Sequence, residues 1–292
     1  MARIFLTAIL GCLFYTQQGF ADFPKNNLHL QDSLDRKDAN MTEEEFAAIT
    51  NRIIEIYKPF AEANGATIKA NLKWKDETVN AFATQFSNRW YINMFGGLAR
   101  RPEITKDGYA MVVCHELGHH FGGFPLKTKW AANEGQSDYF ATHACAVNIW
   151  ENEIEENAKS RETVNSVAKS KCDTAFSDEN RQNLCYRTAM AGLSLAKLLA
   201  AIRGEGANPN FGTQDSSVVS TTDMEHPRPQ CRLDTYVAGA LCDITFDNNL
   251  IPGKALQEDP REAEAEANLY SCARKDGHTY STRPRCWYKP SI

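Results

Sequence analysis

His115-Glu116-Leu117-Gly118-His119 lies in a stretch, Tyr109 to Phe121, whose apolar residues recur at helical spacing, with Gly122-Gly123 as a stop. Two histidines four residues apart on a helix project from one face, where both imidazoles can reach a single ion. Glu116 follows the first of them and can face the same ion, placed to take a proton from a zinc-bound water. Fifteen residues after His119 comes Glu134, in the stretch Asn133-Glu134-Gly135-Gln136-Ser137-Asp138. The spacing puts it in a second helix, from about Trp130 to Trp150. Glu134 can supply a third ligand. Asp138, one turn on, can accept a hydrogen bond from a ligand imidazole, which frees the other ring nitrogen for metal. Two histidines, one glutamate and an open fourth position make a catalytic zinc set, whereas structural zinc sites are closed by four protein ligands. One Zn2+ is therefore the expected cofactor.

The spacing does not suit a metzincin, which needs a His ten residues after the first, because Pro125 stands there. Instead, the Asn133–Asp138 stretch resembles the third-ligand helix of gluzincin peptidases. Val79-Asn80-Ala81-Phe82-Ala83, Gly97-Leu98, the HExGH stretch and His226-Pro227 with Arg232 six residues after the His follow one another in order. These landmarks, over roughly 80–232, are similar to those of the HtpX and CAAX prenyl endopeptidase type of gluzincin. The resemblance implies a mainly helical α+β, zincin-like domain with a small antiparallel-containing sheet. It also implies zinc-dependent hydrolysis of peptide bonds with Glu116 as general base. His226 would either donate to the oxyanion or plug the open position, and Arg232 would pair with a carboxylate to hold that segment. Asn80, Ala81, Phe82 and Ala83 would hold an extended peptide through backbone hydrogen bonds, or else be ordinary core sheet.

The chain has 292 residues, with 42% apolar and 24% charged residues and a formal charge of -5. That balance gives no reason to expect nucleic acid or an anionic membrane as partner. No later apolar run approaches the roughly 20 residues needed to span a bilayer. Residues 1–21 read as a secretory signal: Arg3, an apolar run from Ile4 to Tyr15, and a small-x-small site ending at Ala21. Cys12 sits in a lipobox-like Ile9-Leu10-Gly11-Cys12, but Leu10 is bulky for that motif, so cleavage after Ala21 is expected. Eight cysteines then remain, an even number for an oxidising compartment, periplasmic or extracellular. They allow 105 pairings. Spacing favours local closure of Cys172–Cys185 and of Cys272–Cys286, and forbids Cys231–Cys242 if both share a helix. Cys114 is expected to be buried and structural rather than a ligand.

After a polar segment over 22–41, Thr42-Glu43-Glu44-Glu45 forms a capping box that opens a helix ending at Gly65. Strands are expected over Thr67–Trp74, 80–86 and 89–95, with a turn at Ser87-Asn88, and a further helix over Arg187–Ile202. A Gly-, Asn-, Ser- and Thr-rich stretch between Gly204 and Glu225 reads as a flap or a mobile insertion. The expected organisation is a peptidase domain over 42–242 and a cysteine-containing extension over 243–292 packed on it. The sequence thus points to an exported zinc endopeptidase acting on unfolded or flexible proteins. The second reading is a latent or inactive zinc-binding, chaperone-like protein.

Overall fold

The structure, a computed structural model, describes residues 21–30, 40–204 and 208–291. The signal-like residues 1–20, with Cys12, lie outside the described residues. The expected cleavage bond, after Ala21, falls between the two residues of the first strand.

In chain order the elements are β1 (Ala21–Asp22), α1 (Glu43–Ala63), β2 (Thr67–Lys73), β3 (Ala81–Phe86), β4 (Arg89–Phe95) and α2 (Gly96–Ala99). Then come α3 (Lys106–Phe121), α4 (Glu134–Phe140), α5 (Ala146–Trp150), α6 (Ile154–Thr163), α7 (Ser166–Ala175), α8 (Glu179–Arg203), α9 (Pro229–Ala240) and α10 (Pro260–Ala267). The fold is α+β, with helices far outweighing a mixed sheet of order β1-β3-β4-β2. β3 and β4 form an antiparallel hairpin turning at Ser87-Asn88, with Ser87 at a positive φ of 57°. β2 runs parallel to β4, which the expectation of antiparallel pairing did not specify.

Local signals account for most element ends. Thr42 accepts from the Glu45 amide while the Glu45 side chain accepts from the Thr42 amide, the reciprocal cap expected for α1. Thr105 caps α3, and Gly122 ends it. Asn133 accepts from the Gln136 amide at 2.9 Å and caps α4, so this helix begins at Glu134 and not at Trp130. It continues to Trp150 through a π turn at Ala141–Cys145. The helix expected over Arg187–Ile202 is longer, Glu179–Arg203, with Asp178 as its cap.

α3 is buried from Gly108 to Phe121, packed against the sheet, α4 and α8. A helix enclosed on all sides must find partners for every polar side chain it carries. Gly118 permits the closest approach: a Cβ there would lie 2.7 Å from the Cα and carbonyl oxygen of Ser137 on α4.

Cysteines 114–145, 172–185, 231–286 and 242–272 form four disulfides. The local Cys172–Cys185 bond is as expected, but Cys272 and Cys286 do not pair with each other. Cys231 lies in the first turn of α9 and Cys242 follows its end, so the helix holds them apart and each bonds the carboxyl-terminal stretch as it passes. That stretch also delivers Trp287, which is fully buried, donates to Thr235 Oγ1 at 2.9 Å and covers Gly135, where a Cβ would lie 2.3 Å from the indole. Replacing Cys231 and Cys286 together with Ala is expected to destabilise the protein by about 4 kcal/mol, from loop-closure entropy over their sequence separation of 55. A urea midpoint identical to that of the parent would contradict this.

Among the described residues, no helix is long and apolar enough to cross a membrane.

Candidate metal centre

α3 presents His115 and His119 side by side, ring centroids 4.8 Å apart, toward the first turn of α4. His115 Nε2 lies 3.3 Å from Glu134 Oε2, and His119 Nε2 lies 3.7 Å from Glu134 Oε1. Donors bound tetrahedrally at about 2.1 Å from an ion sit about 3.4 Å apart, so these spacings suit one metal. One donor atom from each of the three residues falls within 4.8 Å of the others. His119 Nε2 and both Glu134 carboxylate oxygens are buried without a hydrogen-bond partner. Orphans of this kind cost about 1–3 kcal/mol each unless something binds them. The donor set therefore fits a cation.

The remote ring nitrogens are occupied. His115 Nδ1 donates to Asp138 Oδ1 at 2.8 Å. Arg232 grips the same carboxylate with two bonds of 2.6 Å, and Tyr236 donates to it at 2.7 Å. His119 Nδ1 faces the Ala132 carbonyl oxygen and Ser137 Oγ, both at 2.9 Å. Each arrangement turns Nε2 toward Glu134, the nitrogen a metal would take.

Charge follows this pattern. Burial lowers the His115 pKa, but the charge and hydrogen bond of Asp138, with the Glu134 carboxylate nearby, outweigh it, raising it to about 9. Burial takes His119 the other way, to about 4. Burial would raise Glu134, yet the neighbouring His115, His119 and His226 imidazoles hold it well below the usual carboxylate range. Asp138 is likewise raised by burial but held low, chiefly by the Arg232 charge.

Glu116 is buried beside His115 on α3. His226 brings Nδ1 to 3.1 Å from Glu134 Oε2. Its segment is tied down: Arg203 donates to the His226 carbonyl, Asn133 to Asp223, and Lys127 pairs with Glu225. The described part of 204–225 forms neither helix nor strand, and its Val219 and Asp223 amides donate to Arg285 and Trp287 carbonyls. Asn80 precedes β3 and accepts from the Ala81 amide; Ala81 and Ala83 point inward, while Phe82 lies between Lys73 and Phe95 on the outer face.

Three neighbouring residues, Cys114 among them as expected, stand outside the cluster. His120 is stacked between Trp90 and Trp130, His143 bonds the Ile244 carbonyl, and Cys114 is bridged to Cys145. Sequence reasoning missed three supports: Tyr236, Ser137 and the Ala132 carbonyl. Tyr236 stands one turn after Arg232, on the same helix face, which is the signal that would have found it.

No protein-family model, curated protein or solved structure matches this chain.

Proposed function

We propose that this chain is an exported zinc endopeptidase of the gluzincin type, cutting extended segments of unfolded or flexible proteins. The observation that carries this reading is the pair of oriented imidazoles beside a buried Glu134, with His119 Nε2 and both Glu134 oxygens lacking hydrogen-bond partners. Two imidazoles and one carboxylate suit zinc better than a hard, oxygen-seeking cation. Bound there, zinc supplies Lewis acidity and makes water a nucleophile near neutral pH. The rest falls to the chain. Glu116 takes the proton of the attacking water and passes it to the leaving amine. His226 donates toward the negative charge that develops on the scissile carbonyl oxygen. β3 holds the substrate backbone in extended form. Four disulfides fit an oxidising compartment.

A second reading, latency, is favoured by one observation: His115, Glu116, His119 and Glu134 are all at most 1% exposed. On this reading the resting chain must open before a peptide reaches the ligands.

Zinc titration of Glu134→Ala against the parent tests the centre. Loss of an outer partner alone weakens metal binding about 10–100-fold, so loss of a ligand is expected to exceed about a hundredfold. Full zinc affinity in Glu134→Ala would remove the third ligand and with it the proposed site. His143→Ala, remote from the centre, is expected to bind zinc as the parent does.

A further inference from the structure

The edge of β3 is already taken. Ala21 and Asp22 pair antiparallel with Ala83 and Phe82, and the ladder continues as Phe23 N–H donates to the Ala81 carbonyl at 3.3 Å. Beyond it, Asn26 Nδ2 donates to the Val79 carbonyl, Val79 N–H to Leu28, and Leu30 N–H to Glu77. Residues 21–30 thus run as an extended peptide along 77–83. Side chains alternate across a strand, so Phe23 falls on the inner face with Ala81 and Ala83, whose methyl groups leave room for a large neighbour. Phe23 is 2% exposed, and its ring meets the His115 imidazole edge-on at 6.1 Å. Lys25, Asn27 and His29 face solvent. One large apolar side chain is inserted beside a ligand of the metal cluster, on a backbone ladder that would accept another peptide equally well.

We propose that the edge of β3 is a binding groove for an extended peptide, antiparallel to Ala81–Ala83, with an aromatic or large apolar side chain seated against His115, and that residues 22–30 of this chain are its resident occupant. This rests on the reading of β3 as the substrate strand. Substrate and resident segment compete for the same carbonyl and amide groups, so the segment restrains activity, and substrates are selected for a bulky apolar residue at the position Phe23 fills. The main-chain bonds are indifferent to sequence; the Phe23 seat is where sequence is read.

The test uses a fluorescent peptide, Asp-Phe-Pro-Lys-Asn-Asn-Leu-His-Leu, and full-length zinc-loaded protein carrying Glu116→Gln so that nothing is cut. Phe23→Ala in the protein weakens the resident strand and is expected to tighten probe binding at least about tenfold, the effect of one buried aromatic side chain. A probe with Ala in place of its own Phe is expected to lose a similar factor. Equal probe affinity with and without the Phe23→Ala substitution in the protein would overturn the proposal. Should Phe23→Ala fail to fold, hydrogen exchange at the Phe23 amide of the unsubstituted chain replaces it: exchange must accelerate when the probe is added, and unchanged protection overturns the proposal. Cleavage assays with Glu116 intact separate the two readings. If the probe binds but does not slow digestion of a carboxymethylated unfolded protein, the groove is not the substrate groove, and the peptidase reading stands alone. If the probe displaces the segment yet no protein is ever cut, the groove stands and the peptidase reading falls.

Discussion

Glu116→Gln is expected to reduce cleavage of an unfolded protein by about three orders of magnitude, the middle of the range for a lost general base, while zinc content stays at the parent level. The reasoning is one of parts. The proposed zinc ligands His115, His119 and Glu134 are untouched, and their outer partners Asp138 and Ala132 remain in place. Glutamine keeps the shape of the side chain but cannot take a proton at neutral pH. An interaction used only in the transition state changes kcat and leaves KM nearly alone. The variant should therefore show a collapsed kcat, an unchanged KM and one zinc per chain. Zinc analysis and initial rates on one preparation decide it. Undiminished cleavage by the variant would mean a contaminant or another site, and the assignment of Glu116 would be lost.

What the sequence reveals follows the range of the physical signal. Helical spacing is local, so His115 and His119 fall on one face as their separation requires, and Thr42 with Glu45 forms its cap without outside help. Glu134 is singled out by its place in the Asn133–Asp138 motif, and the structure does bring it beside His115 and His119. The same reasoning misplaces the start of α4 by four residues, because it reads Asn133 as part of a motif when the residue's own job is to cap the helix. Asp138 and Arg232 each carry a legible carboxylate–cation role, but that they serve one another depends on α4 and α9 packing together, which neither segment announces. The disulfide map fails for the same reason. Cys272 and Cys286 look like a local pair until α9 is placed, with a cysteine at either end to capture them separately. β1 is hidden twice over, being two residues long and having its first residue in the stretch that reads as a signal.

The supports around the cluster should matter nearly as much as the ligands, and Arg232 gives the sharpest case. Arg232→Met keeps most of the side-chain volume, so its effect reports the lost ion pair more than a cavity. The parent Arg232 is 1% exposed and forks onto both oxygens of Asp138, which also receives His115 and Tyr236. Removing one partner of a buried pair typically destabilises by about 3–5 kcal/mol, because the other charge is left uncompensated. Two effects on zinc oppose each other. Loss of a cation 3.8 Å from Glu134 favours metal, but an uncompensated Asp138 tends to take up a proton and cease to hold the His115 tautomer. The second should win, since it acts on the proposed ligand His115 directly: zinc affinity is expected to fall about 10–100-fold. Arg232→Lys restores the charge but not the planar fork, so it should recover less than half of either loss. Thermal melting of the zinc-free protein reads the first effect, and zinc titration at one pH reads the second. A Met variant that melts with the parent and binds zinc as tightly would show that Asp138 needs no cation, and that the cluster is held by α3 and α4 alone.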